Sequence, residues 1–151
     1  MNNNCFHLEQ ACLTEAGRVR ARNEDVAAVD GDYGLAVVAD GMGGHRSGEI
    51  ASQMALDILM KRLRSKIKRF RAGVLQQTPL RFAEQIINEA NQAIHAASKQ
   101  EARHEGMGTT VALAIFQGQH AALAHVGDSR IYRLREGKLQ LLTRDDSLLN
   151  D

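Results

Sequence analysis

The chain has 151 residues and a formal net charge of +1, with 44% hydrophobic and 25% charged residues. A chain of this size buries roughly 70% of its unfolded surface, which predicts one domain with a real core and excludes long disorder. The near-neutral balance gives no global pull toward nucleic acid or membrane, and no apolar run approaches the ~20 residues that span a bilayer.

The opening MNNNCFHLEQ has neither a basic nor an apolar leader segment, so a soluble, cytoplasmic protein is expected. Cys5 and Cys12 lack CxxC spacing, which fits reduced thiols better than a disulfide. No repeat or Pro/Ser-rich linker divides the chain.

Phe6, Leu8 and Ala11 to Leu13 predict a first strand, and VAAVDGDYGLAVVAD predicts two more joined at Asp30-Gly31-Asp32. From Ser47 the period changes: Ile50, Ala51, Met54, Ala55, Ile58, Leu59 and Leu63 mark an amphipathic helix. Its tail, KRLRSKIKRFR, is a solvated helix end favoured by the dipole or, less simply, a nucleic-acid or lipid patch. Thr78-Pro79 opens a second helix, as a cap followed by proline at the first helical position. After Gly106 and Gly108 three β segments follow, TVALAIF, HAALAHVGDS and IYRLREGKLQLLT, the last turning at Glu136-Gly137. Strands, two helices, then strands predict an α+β arrangement of antiparallel sheets, with the helices covering one sheet.

The stretch VVADGMGGHRSGE, Val37 to Glu49, carries the most chemistry. A dinucleotide loop is excluded, because the third glycine of GxGxxG and any GK[ST] are missing and an aspartate sits where phosphate would approach. A hard-cation site fits better: Asp40 offers a carboxylate at a strand end, Gly41 lets the chain turn so that its carbonyl reaches the same ion, and Gly43, Gly44 and Gly48 let the helix pack closely. Taken alone, a DG pair is more commonly just a turn. Other acids fall in similar polar breaks, in RARNED (Glu24, Asp25) and HVGDSR (Asp128), and an all-oxygen donor set suits Mg²⁺ or Mn²⁺ rather than zinc.

RARNED, VVADGMGGHRSGE, GMGTT, HVGDSRIY and LTRDDS occur here in the order found in the metal-dependent PPM, or PP2C-like, protein phosphatases, and from about Gly17 onward the chain resembles the bacterial branch of that family. The resemblance implies an α-β-β-α sandwich of antiparallel sheets flanked by helices. It implies that Asp40 bridges two metal ions beside the Gly41 carbonyl, that Glu24 and Asp25 serve the metals directly or through water, that Asp128 belongs to a further, weaker metal position, and that Arg20 binds the substrate phosphate, a task suited to its planar fork of donors. The implied reaction is hydrolysis of phosphoserine or phosphothreonine in a phosphoprotein, the target of a serine/threonine kinase, by water activated by two or more Mn²⁺ or Mg²⁺ ions. Ser129 is expected to be structural, since GDSRI is not GxSxG. Arg22 and Arg46 are expected to be surface charges.

Met42 stands where many relatives carry histidine, and Asp146 where a histidine is usual. The family's two late aspartate motifs are not found before Asp151, so residues 1–151 are expected to form a single incomplete domain with open sheet edges that favour self-association. Two expectations follow: a phosphatase, or a truncated, inactive relative acting as a binding or regulatory module.

Overall fold

The computed structural model describes residues 7–43 and 47–146. Cys5, Phe6, Gly44, Arg46 and Ser147, all named in the sequence reading, lie outside them. Strand β1 (Asp25–Asp30) pairs antiparallel with β2 (Leu35–Met42) through the expected turn at residues 31–34. Helices α1 (Ser47–Arg71) and α2 (Pro79–Gln100) follow, then a short 3₁₀ turn (Ala102–His104) and strands β3 (Gly108–Thr109), β4 (Val111–Gln117) and β5 (His120–Val126). The five form one sheet in the order β1-β2-β4-β5, with β3 on the end of β2. Strands β6 (Tyr132–Arg135) and β7 (Lys138–Leu141) make a separate hairpin through Glu136 and Gly137, both at positive φ (51° and 73°), as a tight two-residue turn requires. The α+β class and the antiparallel sheets therefore stand.

Alternation along β2 explains the layering. Leu35, Val37 and Ala39 face inward and are buried, whereas Val38, Asp40 and Met42 face outward and are exposed. The inward side chains meet those of β4, Val111, Leu113 and Ile115, beneath the helices. In α1 the buried stripe Ala51, Ala55, Leu59, Leu63 and Ile67 recurs every fourth residue, so one face of the helix lies along the sheet. Gly48 near its start lets the backbone approach the sheet closely at Gly41.

In α2, Phe82, Ala83, Ile86, Ala90 and Ile94 form the matching face, and Thr78 caps the helix by accepting from the Arg81 amide. The short connection between the helices makes them antiparallel neighbours, and Phe82 is fully buried with its ring edge against Phe70. The basic tail of α1 is put to structural use. Arg64 pairs with Asp30 at 2.6 Å, and Arg71 donates to the carbonyls of Asp32 and Tyr33, which pins the helix to the β1–β2 turn.

One strand expectation fails. Residues 8–16 form no strand: this segment lies along the outer face of the sheet, and its ordered bonds are made by side chains, Gln10 to the Leu35 carbonyl and Thr14 to the Asp25 carbonyl. The apolar residues at 8 and 11–13 suggested a strand, but extended backbone becomes one only when a neighbour takes up its hydrogen bonds. The outer face is apolar and open, with a groove of about 390 Å³ lined by Ala27, Ala36, Val38, Ala112, Ala114 and Tyr132. No helix among the described residues is long and apolar enough to cross a membrane.

Candidate metal centre

Two of the acids named from sequence, Asp25 and Asp40, meet where β1 and β2 pair beside the start of α1. Asp25 and Asp40 are cross-strand partners, and residues directly opposite in an antiparallel pair project from the same face. Pairing thus brings two carboxylates side by side on the outward face. Their adjacency is visible in the Asp40 carboxyl, which is pushed above its ordinary range. Partial burial is the leading cause, followed by a hydrogen bond to Asp25 and the charges of Asp25 and Asp128, while Arg20 opposes the rise. Four of the predicted site residues, Arg20, Asp25, Asp40 and Asp128, therefore lie within electrostatic reach of one point.

Gly41 holds a different place from the one expected. It lies within β2 and not at a turn, paired with Thr109 of β3, and its amide donates to the Glu24 carbonyl at 3.0 Å. Its lack of a side chain serves a close approach: a Cβ on Gly41 would stand 2.0 Å from the Gly48 carbonyl oxygen. Conversely, a Cβ on Gly48 would stand 2.9 Å from the Gly41 carbonyl oxygen and 3.0 Å from the carboxyl carbon of Glu24. The first turn of α1 thus leaves a hollow rimmed by a backbone carbonyl and a carboxylate, and a helix start favours negative charge beside it.

The segment bearing Glu24 and Asp25 is held by Asn23, Thr14 and Ser52. Asn23 Oδ1 accepts from the Asp25 amide, and Asn23 Nδ2 donates to Thr14 Oγ1, an arrangement that shapes the turn into β1. Buried Ser52 of α1 donates to the Glu24 carbonyl at 2.7 Å. Ser47, also buried, donates to the Arg103 carbonyl and ties the start of α1 to the 3₁₀ turn. The signal for both serines was their place on the apolar face of the helix; their partners are 28 and 56 residues away in sequence.

Ser129 shares a hydrogen bond of 2.6 Å with Thr110. Arg130 makes a bidentate pair with Asp145, which holds that guanidinium further above its usual range and the carboxyl below its own. Asp146 donates its amide to the Gly127 carbonyl, and its carboxylate lies 3.9 Å from His125 Nδ1.

Among the described residues no three His, Cys, Asp or Glu side chains converge closely enough to hold a metal ion by themselves. The donors nevertheless fit a hard divalent cation. They are all oxygen, Asp25 and Asp40 stand opposite each other on the β1–β2 ladder, and the Gly48 hollow would be filled by any side chain. A cation there would complete its shell with water and the Gly41 carbonyl.

A protein phosphatase 2C family profile matches residues 16–148. The chain belongs to that family. Its sequence is 37% identical over 146 residues to the serine/threonine protein phosphatase PstP of Mycobacterium tuberculosis, covering 94% of this chain and 26% of the relative. It is 36% identical over 141 residues to the serine/threonine phosphatase stp of Listeria monocytogenes, covering 91% of this chain and 54% of the relative. A solved structure of the PstP catalytic domain with two manganese ions superposes with a TM-score of 0.78 at 36% identity, covering 91% of this chain and 55% of that one. Stp1 of Staphylococcus aureus superposes at 0.77 with 28% identity, covering 96% and 59%. The chain spans little more than half the length of the Listeria phosphatase and about a quarter of PstP.

Proposed function

We propose that this chain is the N-terminal part of a single metal-dependent phosphatase domain that removes phosphate from phosphoserine and phosphothreonine in proteins. The observation that carries the reading is the cross-strand pair Asp25 and Asp40, crowded by Asp128 and faced by Arg20. Such crowding of like charge at a surface is costly without a cation, and both acids fall within the stretch that the family profile matches.

In this reading Asp40 would hold the metal ions with the Gly41 carbonyl beside it, and Glu24 and Asp25 would serve them directly or through water. Asp128 serves a further position. Mn²⁺ or Mg²⁺, when bound, supplies an activated water and offsets charge on the phosphoryl oxygens. The chain's own groups do the positioning. Arg20 orients the substrate phosphate through its planar donors, and β1 and β2 keep the acids at fixed separation because both sit on a paired ladder. Met42 cannot donate a proton, so the leaving alkoxide takes its proton from water. The apolar groove left open on the outer face of the sheet supports the view that further protein packs on this unit to complete the domain. The substrate is a phosphoprotein made by a serine/threonine kinase, in the cytoplasm.

Hydrolysis of a phosphothreonine peptide by this unit joined to the remainder of a phosphatase domain, with and without Mn²⁺ and beside Asp40→Ala, tests the reading. Metal-dependent turnover lost in the variant is expected. Absence of turnover with bound Mn²⁺ would overturn it and leave a phosphoprotein-binding role.

A further inference from the structure

The sheet is interrupted at one place next to the acids. Strand β2 pairs with β4 up to Val38 opposite Ala112 and with β3 from Gly41 opposite Thr109. Asp40 and Thr110 face each other in the gap, by continuation of the same register. An ordinary pair there would exchange two backbone hydrogen bonds. Only one is ordinary: the Thr110 amide donates to the Asp40 carbonyl at 2.9 Å. The other is diverted, because the Asp40 amide donates to the Thr110 hydroxyl, at 3.1 Å. Thr109 Oγ1 adds a further donor to the Asp40 carbonyl at 3.0 Å.

Having accepted from Asp40, the Thr110 hydroxyl still has its own proton, and its other neighbour is Ser129 Oγ at 2.6 Å. Thr110 also fits against the turn that carries Asp128. A Cβ on Gly127 would stand 2.8 Å from the Thr110 methyl, and Gly127 has a φ of +91°, so the turn closes on the threonine only because no side chain intervenes. Thr110 is 3% exposed, which keeps water from replacing either bond.

We infer that Thr110 and Ser129 are positioning residues: a hydroxyl strut, buried at Thr110 and half-buried at Ser129, that sets the backbone of Asp40 against the Gly127-Asp128-Ser129 turn, and thereby fixes the spacing of the two carboxylates that the metal reading places in one cluster. The inference rests on that reading. The strut touches neither substrate nor metal. It acts through the Asp40 amide, whose bond decides where the strand carries the carboxylate. Such outer partners of metal ligands matter because a cation tolerates little displacement of its donors.

The test is Mn²⁺ binding by calorimetry on the whole 151-residue chain, wild type beside Thr110→Val, Thr110→Ser and Ser129→Ala, with thermal unfolding of each in the absence of metal. Thr110→Val keeps the shape and removes the acceptor, so its Mn²⁺ affinity is expected to fall by about tenfold. Ser129→Ala falls less. Thr110→Ser retains wild-type affinity although its melting temperature drops, because the hydroxyl remains and the methyl contact with Gly127 is lost. A purely structural threonine gives the opposite split, lower melting in both Thr110 variants and unchanged affinity. Wild-type affinity in Thr110→Val and Ser129→Ala together overturns the strut. Should Thr110→Val not fold, Ser129→Ala decides, and unchanged affinity there overturns it equally. A wild-type chain that takes up no Mn²⁺ overturns the metal reading and the strut with it, which is distinguishable from variants that bind as well as wild type.

Discussion

Gly41 and Gly48 meet backbone to backbone: neither could carry a side chain without striking the other within 3.0 Å. This contact sets how closely α1 approaches the sheet at the site. Gly41→Ala is therefore expected to destabilise the fold by about 3 kcal/mol or more, at the upper end of overpacking costs, since the atom it strikes is backbone and cannot rotate away. Urea unfolding followed by circular dichroism measures it, and a loss below ~1 kcal/mol would contradict the geometry.

Ser52 links α1 to the Glu24 carbonyl, which also accepts from Gly41. Ser52→Ala removes one of two donors from that oxygen and leaves no unpaired donor behind. The cost should stay near 1 kcal/mol, in the range of a single net hydrogen bond. Because the same bond positions the segment carrying Glu24 and Asp25, Mn²⁺ affinity should fall in parallel. Calorimetry on the variant checks this.

Asp145 has its carboxyl held below the ordinary 3.8, chiefly by the hydrogen bond from Arg130. A depressed folded value means that the unfolded chain binds the proton more readily, so the pair contributes stability above 3.8 that is lost as pH falls through the folded value. Asp145→Asn is expected to lower the melting temperature modestly at neutral pH, with the difference from wild type closing as the solution is acidified below that value. A difference independent of pH would show that the substitution acts through something other than the lost charge.

Arg20 opposes the rise of the Asp40 carboxyl, so its positive charge acts at the acids. Removing it has opposite consequences for cation and substrate. Arg20→Ala should bind Mn²⁺ somewhat more tightly, as like charge is removed, while KM for a phosphopeptide rises more than kcat falls. Weaker binding of both would place Arg20 in the fold and not at the phosphate.

Much of this protein was legible before any coordinates. The periods of α1 and α2, the Thr78-Pro79 cap, the Glu136-Gly137 turn and the order of β1, β2, β4 and β5 are local properties, decided by which residues recur on one side of a helix or strand. The acids Glu24, Asp25, Asp40 and Asp128 were visible as residue types in polar breaks. Tertiary structure decided what each was next to. Leu8 and Ala11 to Leu13 have strand composition yet no ladder, because no neighbouring strand takes up their backbone groups. Gly41 was read as a turn residue and is a contact residue, since the atoms that exclude its side chain come from Gly48, beyond the end of the strand. That Asp25 faces Asp40, and that Thr110 joins both Asp40 and Ser129, depends on strand register. Register is set by burying one whole face of a sheet under two helices, and no single stretch of chain contains that information.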